Sequence, residues 1–410
     1  MKYTKLERNW VMYDVGNSAL VLLNTSVVPI YFNAINTGAS SADLVVAWGN
    51  AQTIASLVIA MLMPILGALA DYAGNKIKFF LGFFLTGLVL CLAQAIPMSA
   101  MAFLTVYVLC TIGLNSSMTF YDAMLPDITT DERMDAVSSS GYAWGYIGST
   151  VPFVICLALI MGGPALGVPT MLATRLSFII TGAWWLIFTL PLIRTYKQKY
   201  GRERGPQDTI GHIVGGVFSE VGHTMREIAH NKTVLVYMIA FFFYIDGVHT
   251  VISMATSYGS ALGIDSTQLV LALLVTQFVA FPSAIIYGKL AGRVGTLNMI
   301  LVAVAAYMGI VLFAAFFLKT AFEFWVLAIL VGLFQGGVQA LSRSLLWPHY
   351  SPKEKYQRVL RLLRHLRQVR CRHGHVPGQL LHPAVGQLVV GRAVHRRAVR
   401  AGLRAAVEDA

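Results

Sequence analysis

Charged residues are scarce in this chain. Only 12% of its 410 residues are Asp, Glu, Lys or Arg, whereas 56% are hydrophobic. Soluble domains carry about 25% charged residues, so the scarcity excludes an ordinary soluble protein of this length. The apolar residues fall in blocks long enough to cross a bilayer, which takes about 20 residues in a helix. We therefore expect a polytopic membrane protein.

Cysteine pairs and catalytic motifs are also missing. The sequence has four cysteines, none of which is spaced from another like a metal-ligand pair, and they suggest no disulfide framework. It contains no Walker loop, no G-x-S-x-G motif and no H-E-x-x-H motif. We therefore expect no enzyme activity, no ATP coupling within the chain, no metal and no cofactor.

Ten apolar blocks are present, and they predict ten transmembrane helices, because unpaired backbone groups cannot face lipid. The basic N-terminus runs into a long first block without a cleavage site, which predicts a retained first helix rather than a signal peptide. The blocks lie near residues 10–32, 44–69, 78–97, 101–121, 141–162, 175–194, 233–256, 268–288, 298–318 and 322–345.

Basic residues are concentrated on one side of this predicted arrangement. With the N-terminus inside, 18 Lys and Arg residues fall in cytoplasmic segments, against only Arg175 and Lys319 on the other side. The bias predicts that the N-terminus lies on the cytoplasmic side of the membrane. We expect this membrane to be the inner membrane of a bacterium. The longest connection, residues 195–232, has apolar residues at three- and four-residue steps and predicts an amphipathic linker helix on the inner membrane surface.

An internal repeat divides the chain into two sets of helices. GALADYAGNK (67–76) follows the second block and YGKLAGRVGT (287–296) follows the eighth, with both copies of each glycine 221 residues apart. The first and seventh blocks share YDVG (13–16) and YIDG (244–247). Internal repeats of this kind are common in transporters. We expect one six-helix bundle (1–194), the linker (195–232) and a second bundle of four visible helices (233–355).

The loop after the second block carries a recognisable motif. Gly67, Asp71, Gly74 and Lys76 form G-x-x-x-D-x-x-G-x-K, which resembles the loop signature of the major facilitator superfamily. The resemblance implies an all-α bundle of twelve helices, of which ten are visible here. It also implies a gating role for the loop, in which Asp71 pairs with basic groups or a helix N-terminus of the neighbouring bundle. Gly292 stands where the second copy would have Asp, so the acidic role applies to Asp71 alone.

Five further stretches resemble a narrower group, the unknown-major-facilitator family related to fungal vacuolar amino-acid effluxers of autophagy. This resemblance covers roughly residues 8–355 and implies transport of a small polar solute, such as an amino acid, with proton coupling as a further expectation. The stretches are YDVGNSA (13–19), FYDAMLPDI (120–128), SSGYAWGYIGS (139–149), FFFYIDGVHT (241–250) and GLFQGGVQALSRS (332–344).

The last 55 residues, 356–410, differ from the rest of the chain. They hold 11 Arg and no Lys, Ile, Phe, Met, Asn, Ser, Thr or Trp, and their net charge is +9 against +3 for residues 1–355. Nearly all of their residue types can be encoded by codons that begin with C or G, which is typical of a slipped frame in GC-rich DNA. We interpret the tail as frameshifted. A basic segment on an anionic membrane and a nucleic-acid arm are the alternatives.

Two acidic residues lie in the symmetry-related first and seventh blocks, and each has a polar neighbour three positions later on the same helix face. These pairs are Asp14 with Asn17 and Asp246 with His249. Charges inside a bilayer are costly and persist where they face a cavity or a partner. A carboxylate beside a histidine can take up a proton coupled to substrate movement. The alternative for each acidic residue is a structural contact between helices, and a lone histidine is more often a satisfied core residue.

A second group of polar residues lies towards the inner ends of the fourth and tenth blocks. It supplies phenol, carboxylate, amide and guanidinium groups suited to a polar solute. For the glutamines, hydrogen bonding between helices is the alternative. The group comprises Tyr121, Asp122, Gln335, Gln339 and Arg343.

We expect a monomeric secondary transporter of a small polar solute that works by alternating access, without nucleic-acid partners. The alternative is a non-transporting membrane binding protein or an inactive truncated relic.

Overall fold

A computed structural model describes residues 2–36, 38, 40–201, 226, 230, 232–261 and 263–346 of the chain. Most of the predicted linker and all of residues 347–410 lie outside these ranges, so the amphipathic linker helix and the frameshifted tail stay predictions. The described residues form ten α-helices, one over each predicted apolar block. They are α1 Lys5–Ile35, α2 Ser41–Ala70, α3 Asn75–Ala93, α4 Ala100–Ile128, α5 Met134–Gly162, α6 Thr170–Thr195, α7 Lys232–Ala261, α8 Ser266–Val294, α9 Thr296–Phe317 and α10 Ala321–Leu346.

Length and composition explain most of this architecture. Within the described ranges, nine helices are long and apolar enough to cross a membrane; the exception is α7, whose shorter apolar stretch is Ile239–His249. The prediction of an all-α membrane protein is confirmed. Local signals set several helix starts: Thr4 and Glu7 form a capping box at α1, and Ser40 and Ser99 accept backbone hydrogen bonds at α2 and α4.

The two copies of the repeat make matching turns. Gly74 precedes α3 with a φ of 76°, and Gly295 precedes α9 with a φ of 97°. Positive φ angles are accessible to glycine because it has no Cβ, so both positions favour glycine for the same steric reason. Gly295 is also the whole connection between α8 and α9, which makes this turn very tight.

The core is built from two groups of helices that meet along α5. Helices α1 to α6 share one large aromatic cluster, which includes Trp10, Phe84 and Trp185. Helices α7 to α10 enclose two smaller clusters, and α5 contacts α8 and α10. We call α1–α6 the N-terminal half and α7–α10 the C-terminal half. Their contact with each other positions the site described next.

Candidate functional site

The Arg343 guanidinium crosses from the C-terminal half into the N-terminal half. It lies near the end of α10 and donates six hydrogen bonds, the longest of which runs from Nη1 to Asp14 Oδ1 (3.5 Å). Arginine has five N–H groups, so one of them is shared between two acceptors. Nε donates to Ser138 Oγ (2.9 Å), and Nη2 donates to the Ser138 carbonyl (2.8 Å) and Asp14 Oδ2 (3.1 Å). Nη1 donates to Asp14 Oδ2 (3.1 Å) and Asp122 Oδ1 (3.2 Å). The side chain is therefore fully paired.

The two carboxylates around Arg343 differ in accessibility. The Asp14 and Arg343 side chains are each 6% exposed, whereas the Asp122 side chain is 41% exposed. The cluster holds two carboxyl groups and one guanidinium, so it has one acidic group more than it has basic groups. Asp122 is thus the side from which a further cation or a proton can reach the cluster.

Three aromatic rings complete the surroundings of the guanidinium. Its Cζ atom lies 4.2 Å from the centroid of Tyr142, 4.6 Å from that of Trp10 and 5.7 Å from that of Tyr121. A cation within about 6 Å of a ring centroid is attracted by the negative face of the ring. We call the set Trp10, Asp14, Tyr121, Asp122, Ser138 and Tyr142 the cation cage.

Contacts between α1 and α4 hold two of these rings in place without Arg343. Trp10 and Tyr121 stack with centroids 4.4 Å apart. The Trp10 indole donates to the Tyr121 carbonyl (3.2 Å), and the Tyr121 hydroxyl donates to the Trp10 carbonyl (3.1 Å). Because every one of these groups belongs to the N-terminal half, this wall of the cage is held by contacts that do not involve the C-terminal half.

Glycine at position 141 lets α5 approach α1 and α10 closely. A Cβ atom there would collide with the Asp14 carboxylate and lie 2.8 Å from Arg343 Nη2. The next glycine on this face, Gly145, packs against Ser18 and the Asp14 backbone. These two glycines therefore allow close helix packing, and Gly141 makes room for the ion pair.

Other hydrogen bonds between the halves lie near the cage. Tyr146 donates to Gln339 Oε1 (2.6 Å), and Ser138 donates to the Ala340 carbonyl (2.8 Å). Thr296, at the start of α9, donates to Asp135 Oδ2 (2.5 Å). The cage and the Asp135 contact lie towards the side of the bundle where α1 begins, α4 ends, α5 begins and α10 ends. The halves are therefore closed against each other on that side.

The structure brings together four of the sequence-predicted residues: Asp14, Tyr121, Asp122 and Arg343. Asn17 is buried one turn from Asp14, with its amide 3.5 Å from Oδ1. Gln335 and Gln339 lie on α10, with Gln335 buried and Gln339 bonded to Tyr146.

Asp246 and His249 lie apart from this group. Both are exposed on α7, and the hydrogen bonds described for the cage include neither of them. The structure therefore does not join the acid–histidine pair to the acid–arginine cluster.

The predicted gating loop has a buried ion pair of its own. Lys76 Nζ lies 2.9 Å from Asp127 Oδ2, and both side chains are buried in the N-terminal half. Asp127 also accepts from the Tyr196 hydroxyl (2.5 Å) and from two backbone amides after α6. Burial, and then the Asp127 charge, raise the pKa of the Tyr196 phenol. Lys76 thus fixes the loop to its own half, while Asp71 ends α2 as its C-cap.

Sequence reasoning missed Trp10, Ser138 and Asp127. A signal for the first two was present, because Trp10 precedes Asp14 by one helical turn and Ser138 precedes Tyr142 by one turn. No spacing signal joins Asp127 to Lys76, which lies 51 residues earlier in the chain.

Comparison with known protein families identifies the family of this chain. Residues 50–347 match the family described as "Vacuole effluxer Atg22 like". The chain belongs to this family. The "Uncharacterized MFS-type transporter YxiO" of Bacillus subtilis is 44% identical over 351 residues, which cover 84% of this chain and 80% of YxiO. "Autophagy-related protein 22" of Saccharomyces cerevisiae is 24% identical over 374 residues, which cover 83% of this chain and 68% of that protein.

Solved structures agree on the fold of this Atg22-like chain. The proton:xylose symporter XylE of the major facilitator superfamily superposes with a TM-score of 0.55 at 14% identity, covering 84% of this chain and 87% of XylE. The major-facilitator fold predicted from the sequence is confirmed. The relatives are transporters rather than enzymes, which confirms that expectation also.

Proposed function

We propose that this Atg22-like chain is a secondary transporter that moves a small polar solute, such as an amino acid, by alternating access between its two halves. The fold and the family support a transporter; the solute class follows from the resemblance to fungal vacuolar amino-acid effluxers. We place the chain in a bacterial inner membrane with its N-terminus on the cytoplasmic side, in line with the distribution of Lys and Arg. The working unit is one chain.

The observation that carries this proposal is the buried pair between Arg343 and Asp14, which joins the halves on one side of the bundle (3.1 Å). Alternating access requires contacts between the halves that form in one state and break in the other. A pair formed by residues from both halves meets this requirement. With the N-terminus inside, the structure corresponds to a state whose cytoplasmic side is closed.

Proton coupling has a separate candidate site in this proposal. Asp246 and His249 are one turn apart and exposed on α7, away from the contacts of the cation cage. A carboxylate and an imidazole at that spacing can share a proton during transport. The gating-loop residues Gly67, Asp71, Gly74 and Lys76 hold the α2–α3 turn. We expect Asp71→Asn to change the population of the two states more than the affinity for solute.

Solute flux tests the proposal directly. The full chain is placed in proteoliposomes and uptake of a panel of amino acids and sugars is measured by mass spectrometry, with and without a pH gradient. We expect flux of at least one amino acid, its loss in Asp14→Asn, and loss of its pH dependence in Asp246→Asn.

The matched control is Asp43→Asn, which removes an exposed carboxylate from the first turn of α2 and should leave flux unchanged. A correctly folded chain that binds solute but moves none would contradict transport and favour the non-transporting binding protein.

A further inference from the structure

The cation cage belongs entirely to one half of the molecule, and its cation belongs to the other. Trp10 and Asp14 come from α1, Tyr121 and Asp122 from α4, and Ser138 and Tyr142 from α5. Arg343 alone comes from α10. Separation of the halves would therefore withdraw the guanidinium and leave the cage in place.

We propose that the cation cage is a binding site for an organic cation, a guanidinium or ammonium group of the solute, and that Arg343 occupies this site in the closed state as an internal substitute. Solute and Arg343 then compete for one set of carboxylates and rings. The inference rests on the proposed transport function, because it assumes that the halves separate.

Electrostatics is the first argument that a cation replaces Arg343 in the open state. The Asp14 side chain is 6% exposed and shares Oδ2 between two guanidinium nitrogens. When Arg343 leaves, the two carboxylates lose their cation and have no basic partner among the cage residues. A buried charge that loses its partner is strongly disfavoured, so the open state favours uptake of a positive group.

The shape of the cage is the second reason, since it selects an organic cation. Three rings lie 4.2, 4.6 and 5.7 Å from the guanidinium carbon, and aromatic walls favour a weakly hydrated, polarisable cation. The carboxylates and the Ser138 oxygens accept six hydrogen bonds from one flat group. Asp122, being 41% exposed, provides the open edge for access.

Chemical rescue tests this assignment without any measurement of flux. Purified full-length wild type, Arg343→Ala and the double variant Arg343→Ala/Asp14→Asn are titrated with millimolar guanidinium chloride, and sodium chloride keeps the ionic strength constant. Thermal midpoint and tryptophan fluorescence report binding. We expect Arg343→Ala to have a lowered midpoint that guanidinium restores in a saturable way, with no rescue of the double variant.

Competition by Arg343 also sets the expected size of the effect. If Arg343 fills the cage in about nine molecules of ten, its removal raises the apparent affinity for guanidinium about tenfold over wild type. The matched control is Arg293→Ala, which removes an exposed arginine from the last turn of α8 and should bind no better than wild type.

Three outcomes would overturn the assignment. One is a folded Arg343→Ala variant that guanidinium does not stabilise. Another is equal rescue of the double variant, which would show binding elsewhere. The third is rescue by acidification alone, because protonation would then be how the carboxylates are neutralised.

A second measurement keeps the test decisive if Arg343→Ala does not fold. Gln339→Cys places a thiol at a contact between the halves in a chain that keeps Arg343, and its alkylation by a maleimide is followed with increasing methylguanidinium. We expect the alkylation rate to rise several-fold and saturate, whereas an alkylation rate that does not change with cation would contradict the competition.

The outcome of this assignment can be separated from that of the transport proposal. A chain that binds guanidinium but moves no solute would keep the assignment and contradict transport. A chain that moves solute but does not bind guanidinium would contradict the assignment and keep transport.

Discussion

The two halves of this transporter place opposite charges at equivalent positions. Asp122 in α4 and Arg343 in α10 are 221 residues apart, the same offset that relates Gly67 to Gly288. Yet one position carries a carboxylate and the other a guanidinium, and the two side chains pair across the interface (3.2 Å). A repeated backbone has thus acquired complementary rather than identical side chains, so that the halves recognise each other.

Backbone features follow the repeat more closely than charges do. Gly74 and Gly295 both adopt positive φ angles at the matching turns. Lys76, by contrast, has Leu297 at the offset of 221, so the buried Lys76–Asp127 pair belongs to the N-terminal half. The glycine turns are therefore common to both halves, whereas the buried lysine–aspartate pair is specific to the N-terminal half.

Removal of the Arg343 guanidinium should have the largest effect on this comparison. Arg343→Ala leaves Asp14 buried without its cation, and losing one partner of a buried pair costs about 3–5 kcal/mol. We expect a markedly lower thermal midpoint in detergent and loss of the closed state. Arg293→Ala, an exposed site in the same half, should change stability by no more than about 0.5 kcal/mol. Equal effects of the two variants would show that the ion pair contributes nothing to closure.

The sequence predicted the positions of the ten helices because each apolar block is long enough to span a bilayer. It also selected Tyr121, Asp122 and Arg343, since polar residues near the ends of apolar blocks stand out. It could not show that Arg343 reaches Asp14, which lies 329 residues away in the chain. Pairing at that distance depends on how the two halves dock, which spacing along one helix does not reveal.

The gating loop likewise shows that sequence spacing identifies local features but not partners on another helix. Its glycines and Lys76 were recognised from their spacing, and Gly74 does make the sharp turn. The partner of Lys76 was missed, because Asp127 lies on α4 and only the packing of α3 on α4 brings the two together. Asp246 and His249 were predicted from the match between α7 and α1, but they lie outside the cluster of Asp14 and Arg343.

The α2–α3 turn has Lys76 where the α8–α9 turn has Leu297, and exchanging the residue tests what the lysine contributes. Lys76→Leu introduces the residue found at position 297 and leaves Asp127 buried without a cation. We expect a loss of about 3 kcal/mol, at the low end for a broken buried pair, because Asp127 keeps Tyr196 and two backbone donors. Unfolding followed by circular dichroism measures it. Lys78→Leu, at an exposed position on the same helix, is the control; a neutral Lys76→Leu would mean that the pair is dispensable.

A methyl group at position 141 should disturb the interface with a smaller effect. In Gly141→Ala the new Cβ meets the Asp14 carboxylate and Arg343 Nη2, and overpacking of this kind costs about 1–3 kcal/mol. Gly82→Ala is the matched change in open space, where replacing a glycine inside a helix should stabilise by about 0.5–1 kcal/mol. Thermal midpoints of the two variants should therefore shift in opposite directions. A shift in the same direction would contradict the close approach of α5 to α1.

The smallest effects come from a similar tyrosine–serine contact in each half, although the serine of α10 lies one helical turn beyond the repeat counterpart of Ser117. The Tyr13 hydroxyl lies 2.8 Å from Ser117 Oγ between α1 and α4, and the Tyr244 hydroxyl lies 2.7 Å from Ser342 Oγ between α7 and α10. Tyr→Phe removes one buried hydrogen bond in each half, at a cost of about 0.5–1.5 kcal/mol. Ser117 keeps its bond to the Leu114 carbonyl (2.7 Å), so Tyr13→Phe leaves no unpaired hydroxyl behind.

The serine of the α10 contact should make the second change larger. The hydrogen bond described for the Ser342 side chain is the one to Tyr244, and the residue is buried, so Tyr244→Phe leaves a hydroxyl without that partner. Thermal midpoints of the two variants, with exposed Tyr200→Phe as control, measure the difference. A larger loss in Tyr13→Phe would contradict this order. It would show that the tyrosine–serine contact of the N-terminal half contributes more to stability than the similar contact of the C-terminal half, although only the latter leaves its serine without a described partner.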